Sequence, residues 1–120
     1  KTGFKKLADI ILDMAAKGSK ERYNRVIKPV ISDMWGMRYK SGERAIMHDH
    51  WPALWSFVYY INAPEGAPGL FFKEMGAQGG MRKLEPGLLI MFPGYVQHGV
   101  QPQEFKGYRY VVSANVSEKL

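Results

Sequence analysis

At Pro29 the spacing of apolar residues changes, and that change bounds what the chain can fold into. Before it, Phe4, Leu7, Ile10, Ile11 and Met14 recur every three or four residues, with Lys5, Lys6, Asp9 and Asp13 between them. This spacing predicts an amphipathic helix over 4–16. Gly18 reads as its stop, Ser19 as the cap of a second short helix reaching Ile27, and Pro29 as a barrier to continuation. Beyond Pro29 apolar and polar residues alternate, as on a half-buried strand. Strands are predicted at 34–39, 44–50, 55–62, 70–72, 88–92, around 98–100, and at 108–116. Ser41-Gly42, the Pro/Gly stretch 63–69, a loop over 76–80 and Glu85-Pro86-Gly87 separate them. Many short strands after leading helices predict a sandwich or barrel rather than alternating strand–helix units.

A chain of 120 residues is read as a single domain over 1–120, with a helical flank over 1–28 and a β core over 30–117. It has no cysteine, which excludes a disulfide scaffold and fits a reducing, cytoplasmic setting. No apolar stretch is long enough to cross a bilayer, so no membrane partner is expected. The formal charge of +6 is uneven: residues 1–44 hold eleven Lys/Arg against five Asp/Glu, whereas the rest balance six against six. A basic flank can meet an acidic partner such as nucleic acid, but solvated helix faces also carry lysine for solubility alone.

The chain has three histidines, and their placement is the main functional signal. His48 and His50 form a His-x-His pair, and His98 ends an apolar run five residues after Pro93. On a strand, residues i and i+2 share a face, so His48 and His50 project together and Asp49 points away. His98, from a distant strand, can complete a three-histidine site with a coordination position left open. Without cysteine the donors must be imidazole or carboxylate, which suits Fe, Zn, Ni, Cu or Mn. A bulge at Asp49 would instead bring its carboxylate to the ion. Arg109 is the other conspicuous residue, a charge in the apolar strand Tyr108-Arg109-Tyr110-Val111-Val112. An unpaired charge there would be costly, and its planar fork suits a carboxylate.

Gly42 stands six residues before His48, Gly87 six before Pro93, and Pro93 five before His98. This spacing resembles the two cupin motifs. The match departs in two places: Trp51-Pro52-Ala53-Leu54-Trp55 occupies the stretch where a glutamate is expected, and Gly94 comes one position early, with Tyr95 where glycine belongs. Ten residues separate His98 from Arg109, as in 2-oxoglutarate oxygenases. Over 42–116 the chain resembles the 2-oxoglutarate/Fe(II) oxygenases of marine phages and bacteria. The resemblance rests on His48-x-His50, Trp55-Ser56-Phe57-Val58-Tyr59-Tyr60-Ile61, Gly69-Leu70-Phe71-Phe72, Gly87 to Pro93, His98-Gly99-Val100-Gln101-Pro102 and Arg109 to Asn115.

This resemblance implies a mainly β fold, a double-stranded β-helix (jelly roll, cupin-like) with one or two N-terminal helices packed outside. It implies Fe(II) as metal and 2-oxoglutarate as cosubstrate, converted to succinate and CO2 as a second substrate is hydroxylated. Arg109 would then hold the far carboxylate, and Tyr59, Tyr39, Tyr60 and Trp55 are candidates for the pocket wall, Tyr59 and Tyr39 beside the cosubstrate. Most of that superfamily uses His-x-Asp/Glu with a distal His, whereas here the pair is His48 and His50. The alternative is a cupin-like module, or a 2-oxoglutarate-independent metalloenzyme, acting on a small acidic ligand. Peptides, nucleobases and small metabolites all remain compatible as prime substrate.

Overall fold

The computed structural model describes residues 2–73 and 84–119; the loop expected over 76–80 lies outside the described residues. Among the described residues one helix, α1 (Thr2–Tyr23), precedes seven strands: β1 (Pro29–Lys40), β2 (Ala45–His48), β3 (Trp55–Tyr60), β4 (Leu70–Phe72), β5 (Leu89–Pro93), β6 (His98–Val100) and β7 (Tyr108–Glu118). They form a four-stranded sheet in the order β1-β7-β3-β5 and a three-stranded sheet in the order β2-β6-β4, with every pairing antiparallel. The architecture is a cupin-like jelly roll. Among the described residues no helix is long and apolar enough to cross a membrane.

The helical flank is one helix, not two. Gly18 does not stop it. A Cβ at Gly18 would lie 2.9 Å from Met91 Cε and 3.4 Å from Trp55 Cζ2, so the missing side chain lets the helix settle onto the sheet. Ser19 does not cap a second helix either, because its hydroxyl accepts the indole N–H of Trp55 at 2.9 Å. Both residues read as boundary signals are packing residues. The helix ends where Asn24 turns left-handed (φ 54°), its N–H on the Lys20 carbonyl and its side-chain oxygen on Lys20 Nζ, each at 3.0 Å.

The central strands are covered on both faces. From β3, Trp55 and Phe57 join Ile11 and Ala15 of α1 and Ala114 and Val116 of β7 in one core cluster. The alternate residues Val58 and Tyr60 join Leu70, Phe92, Val100 and Val111 in a second cluster between the sheets. β7 divides the same way: Arg109, Val111, Ser113 and Asn115 line the space between the sheets, while Ala114 and Val116 meet the helix. Period-two geometry thus assigns each residue of β3 and β7 either to the helix side or to the interior.

Equilibrium unfolding in urea should show the tight helix contact. Gly18→Leu should lose about 1–3 kcal/mol through overpacking against Met91 and Trp55. Gly3→Ala, where nothing lies within 4 Å, should be neutral or gain up to about 1 kcal/mol from helix propensity.

Candidate metal centre

His48, His50 and His98 converge. One ring nitrogen from each lies within 4.8 Å of the others. Ring centroids are 5.0 Å apart for His48–His50, 4.4 Å for His48–His98 and 4.9 Å for His50–His98. His48 Nδ1 lies 2.6 Å from the Ile46 carbonyl and His98 Nδ1 lies 3.0 Å from that of Val96. A carbonyl only accepts, so each Nδ1 carries a proton, which selects the tautomer whose Nε2 lone pair is the one offered to a metal. The donor set of three imidazoles therefore fits a divalent transition ion with further positions open.

Two of the rings are placed by a sheet and the third by a backbone crossing. His48 and His98 are cross-strand partners of β2 and β6. Gly99 makes that pairing close, since a Cβ there would meet the Ala45 carbonyl oxygen at 2.8 Å. β2 ends at His48, so His50 lies two residues beyond it, and strand parity alone does not place the third ring. The His50 N–H donates to the Gly94 carbonyl at 2.8 Å, and Gly94 N–H donates to the Leu54 carbonyl at 2.9 Å. A Cβ at Gly94 would collide with the Ala53 carbonyl. The glycine that stands one position early against the cupin pattern is thus the one this crossing requires. Asp49 stays out of the cluster: it is exposed, and its Oδ1 accepts the Trp51 N–H at 3.0 Å.

Burial shapes the electrostatics. His98 is buried, which pushes its pKa down to about 4; the Val96 carbonyl that accepts from it opposes the drop, and both other histidines add to it. His50 is lowered as well, first by burial and then by His48, with the carboxylates of Asp49 and Asp33 opposing the drop. Near neutral pH these two rings are uncharged, as metal ligands must be.

The same cavity, about 300 Å³, extends from the histidines to Arg109. Arg109 is 1% exposed and, among the described residues, is the one lysine or arginine lining it. Its guanidinium carbon lies 4.3 Å above the Tyr39 ring and 5.5 Å from that of Tyr60. Among the described residues its Nε and Nη2 have no hydrogen-bond partner, and neither has the Tyr60 hydroxyl. Burial lowers the Arg109 pKa and raises that of Tyr60, whose nearness to the guanidinium works the other way. A buried, unpartnered guanidinium is costly unless an anion completes it. A carboxylate entering the cavity supplies that partner.

Tyr39 lies on the wall as expected, but Tyr59 does not. Tyr59 borders an apolar groove with Phe4, Leu7 and Ile10 of α1, because it has the parity of Phe57. Trp55 lies on that helix side too, and Tyr60 is the β3 tyrosine beside Arg109. Sequence reasoning missed Trp35, Ser56 and Asn115. Ser56 donates to Asn115 Oδ1 at 2.9 Å, and Trp35 stands 6.2 Å from His50 between ring centroids. Counting in twos from Arg109 reaches Asn115, whereas Trp35 is brought in by the pairing of β1 with β7, which a single sequence does not reveal.

No family model and no curated protein matches this chain, but solved structures share its fold. A 2OG-Fe(II) oxygenase family oxidoreductase from Burkholderia pseudomallei superposes with a TM-score of 0.66 at 14% identity, over 85% of this chain and 51% of that one. The viral collagen prolyl hydroxylase of Paramecium Bursaria Chlorella virus-1, in complex with 2OG, gives 0.65 at 16% identity, over 96% and 74%. A cupin domain from Bordetella pertussis gives 0.51 at 17% identity, over 74% and 91%. The chain therefore spans about half the length of the first and about three quarters of the second. At these identities the likeness is one of fold.

Titration calorimetry with Zn(II) should rank the residues. His50→Ala should weaken binding more than about tenfold, and Gly94→Ala should weaken it by displacing His50, whereas Asp49→Ala should leave it nearly unchanged. A pH series should report the buried imidazoles. With folded pKa values below the ordinary 6.5, the unfolded chain takes up protons that the folded chain refuses. The metal-free protein should then lose stability as pH falls from about 6.5 towards about 4, and His98→Gln should flatten the slope of Tm against pH.

Proposed function

We propose that this chain is an Fe(II)- and 2-oxoglutarate-dependent oxygenase. The observation that carries the reading is Arg109, buried, with Nε and Nη2 unpartnered among the described residues, in the cavity that the three histidines line. His48, His50 and His98 would hold the metal through Nε2, with the Ile46 and Val96 carbonyls keeping the Nδ1 protons of His48 and His98 in place. The guanidinium would take the far carboxylate of 2-oxoglutarate, with Tyr39 packed against its face and the Tyr60 hydroxyl as a second donor. Apolar walls from Val58, Leu70, Phe92, Val100 and Val111 keep water from the charge pair and strengthen it. Iron and 2-oxoglutarate together supply the oxidative chemistry, in which decarboxylation to succinate and CO2 is coupled to hydroxylation of a second substrate. The protein's contribution is orientation and a dry site.

The donor set favours one other reading. Three neutral imidazoles, with Asp49 outside the cluster, differ from the His/carboxylate set of most such oxygenases, and a cupin domain shares the fold. A cupin-like module binding a small acidic ligand would use Arg109 in the same way.

Incubating the iron-loaded, reduced protein with 2-oxoglutarate and O2 separates the two, since only the oxygenase yields succinate. Arg109→Ala should weaken 2-oxoglutarate by about 2–5 kcal/mol while sparing metal affinity, and lysine should rescue only in part. Arg109→Met should raise the Tm of the ligand-free protein, because it removes an unpaired buried charge, and should abolish the thermal shift given by 2-oxoglutarate. Normal 2-oxoglutarate affinity in Arg109→Ala would refute the cosubstrate assignment.

A further inference from the structure

The cavity has a second polar station, at the end away from Arg109. Along β7 the lining residues after Arg109 are Val111, Ser113 and Asn115 on one parity, so Asn115 stands six residues, roughly 20 Å of strand, from the arginine. Trp35, beside His50, is the cross-strand partner of Ser113. The histidines therefore stand against this row near the level of Ser113, with Arg109 to one side and Asn115 to the other. Asn115 is 7% exposed and its cross-strand partner on β3, Ser56, is 2% exposed. The Ser56 hydroxyl donates to Asn115 Oδ1 at 2.9 Å, which leaves the amide nitrogen over. Among the described residues Nδ2, with two N–H donors, has no hydrogen-bond partner. A buried amide with both donors unused is costly on central strands that could carry valine instead. No lysine or arginine lines this end among the described residues, so an anion there would have no cationic side chain to pair it. The partner that Nδ2 lacks is a neutral acceptor.

Resting on the oxygenase reading, which gives the Arg109 end to the cosubstrate, we infer that the other end receives the second substrate and that Asn115 selects it. The ligand class is a neutral amide, whose carbonyl oxygen accepts from Asn115 Nδ2. Trp35 supplies a flat apolar wall between Asn115 and the histidines, against which a planar amide can lie. The two ends of the cavity then sort ligands by charge and hydrogen bonding: the diacid goes to the guanidinium, and the uncharged carbonyl to the amide. A substrate without an acceptor would leave the Asn115 donors buried and unpaired, and so would be rejected. Peptides and free lactams both offer such a group.

Heteronuclear NMR of the Zn(II)-loaded full chain, without 2-oxoglutarate, tests this apart from turnover. The probes are 2-pyrrolidinone and N-acetylglycine methylamide, with pyrrolidine-2-thione, acetate and methylammonium as controls. The Asn115 side-chain signal is identified by its loss in Asn115→Ala. Both carbonyl probes should move that signal saturably, and the thione, whose sulfur accepts poorly, should bind about threefold or more weakly. Acetate and methylammonium should leave it in place. Followed at the Trp35 indole N–H, Asn115→Ala should weaken the carbonyl probes by about three- to tenfold and Asn115→Asp by at least as much, with Zn(II) affinity unchanged in Asn115→Ala. Tighter binding of acetyl-Gly-Gly-Gly-methylamide than of either small probe assigns the amide to a peptide, and tighter binding of 2-pyrrolidinone assigns it to a free small molecule. No saturable shift at Asn115 up to the solubility of the probes overturns the inference. So does an equal response to the thione or to acetate, or an unchanged carbonyl affinity in Asn115→Ala. Succinate formation without a response at Asn115 sinks this inference alone. Carbonyl selection at Asn115 without succinate formation sinks the oxygenase reading and leaves the amide site standing.

Discussion

Strands β3 and β7 carry two different environments on one backbone. From Trp55 to Tyr60 and from Val112 to Val116, every second residue faces α1 and every other faces the space between the sheets. Because the period is two, no residue can shift by one position without exchanging a hydrophobic contact for a place in the cavity. Arg109 is held inside by this constraint: Ala114 and Val116 lock the opposite parity of β7 against the helix, and Asp33 to Lys40 of β1 pair with Tyr108 to Asn115. The helix that fixes the register also covers the sheet. Removing its contact would loosen the same strand that presents the guanidinium.

Charge and burial work against stability at this site and in favour of ligands. A fully buried arginine with two nitrogens unpartnered among the described residues and a buried tyrosine hydroxyl each cost folding energy, and the histidine held far below its usual pKa adds a cost once the pH falls below 6.5. Their cost is offset by the apolar clusters on both sides of β3, where Trp55, Phe57 and Tyr60 are all at most 3% exposed. Strain of this kind, concentrated in one cavity and supported by a well-packed shell, is how a protein keeps polar groups ready for a partner that replaces water.

Much of this was legible in the sequence, and the failures share a cause. The alternation after Pro29 predicted strands close to those observed, and the histidine spacing pointed to a cluster that the fold brings together. Gly18 and Ser19 were misread because a glycine or serine in a helical pattern has the same local signature whether it ends the helix or permits a close contact with Met91 and Trp55. Tyr59 was misplaced for a related reason: adjacent tyrosines on a strand covered on both faces are indistinguishable until the register is known. Trp35 became visible only through the pairing of β1 with β7, a contact between residues far apart in the chain.

The crossing at Gly94 has a further consequence. His50 is held through main-chain groups: its own N–H on the Gly94 carbonyl, the Gly94 N–H on Leu54, and the Ala53 N–H back on the His50 carbonyl. Peptide groups are the same whatever side chain they carry. Trp51 and Tyr95, both largely exposed, stand beside this crossing, yet their side chains make none of its main-chain hydrogen bonds. The side chains at this crossing can therefore be changed residue by residue while the His50 ring stays where the backbone has put it. Surface chemistry and the position of the third ring are separately adjustable in this protein, and Gly94 is the residue that keeps them apart.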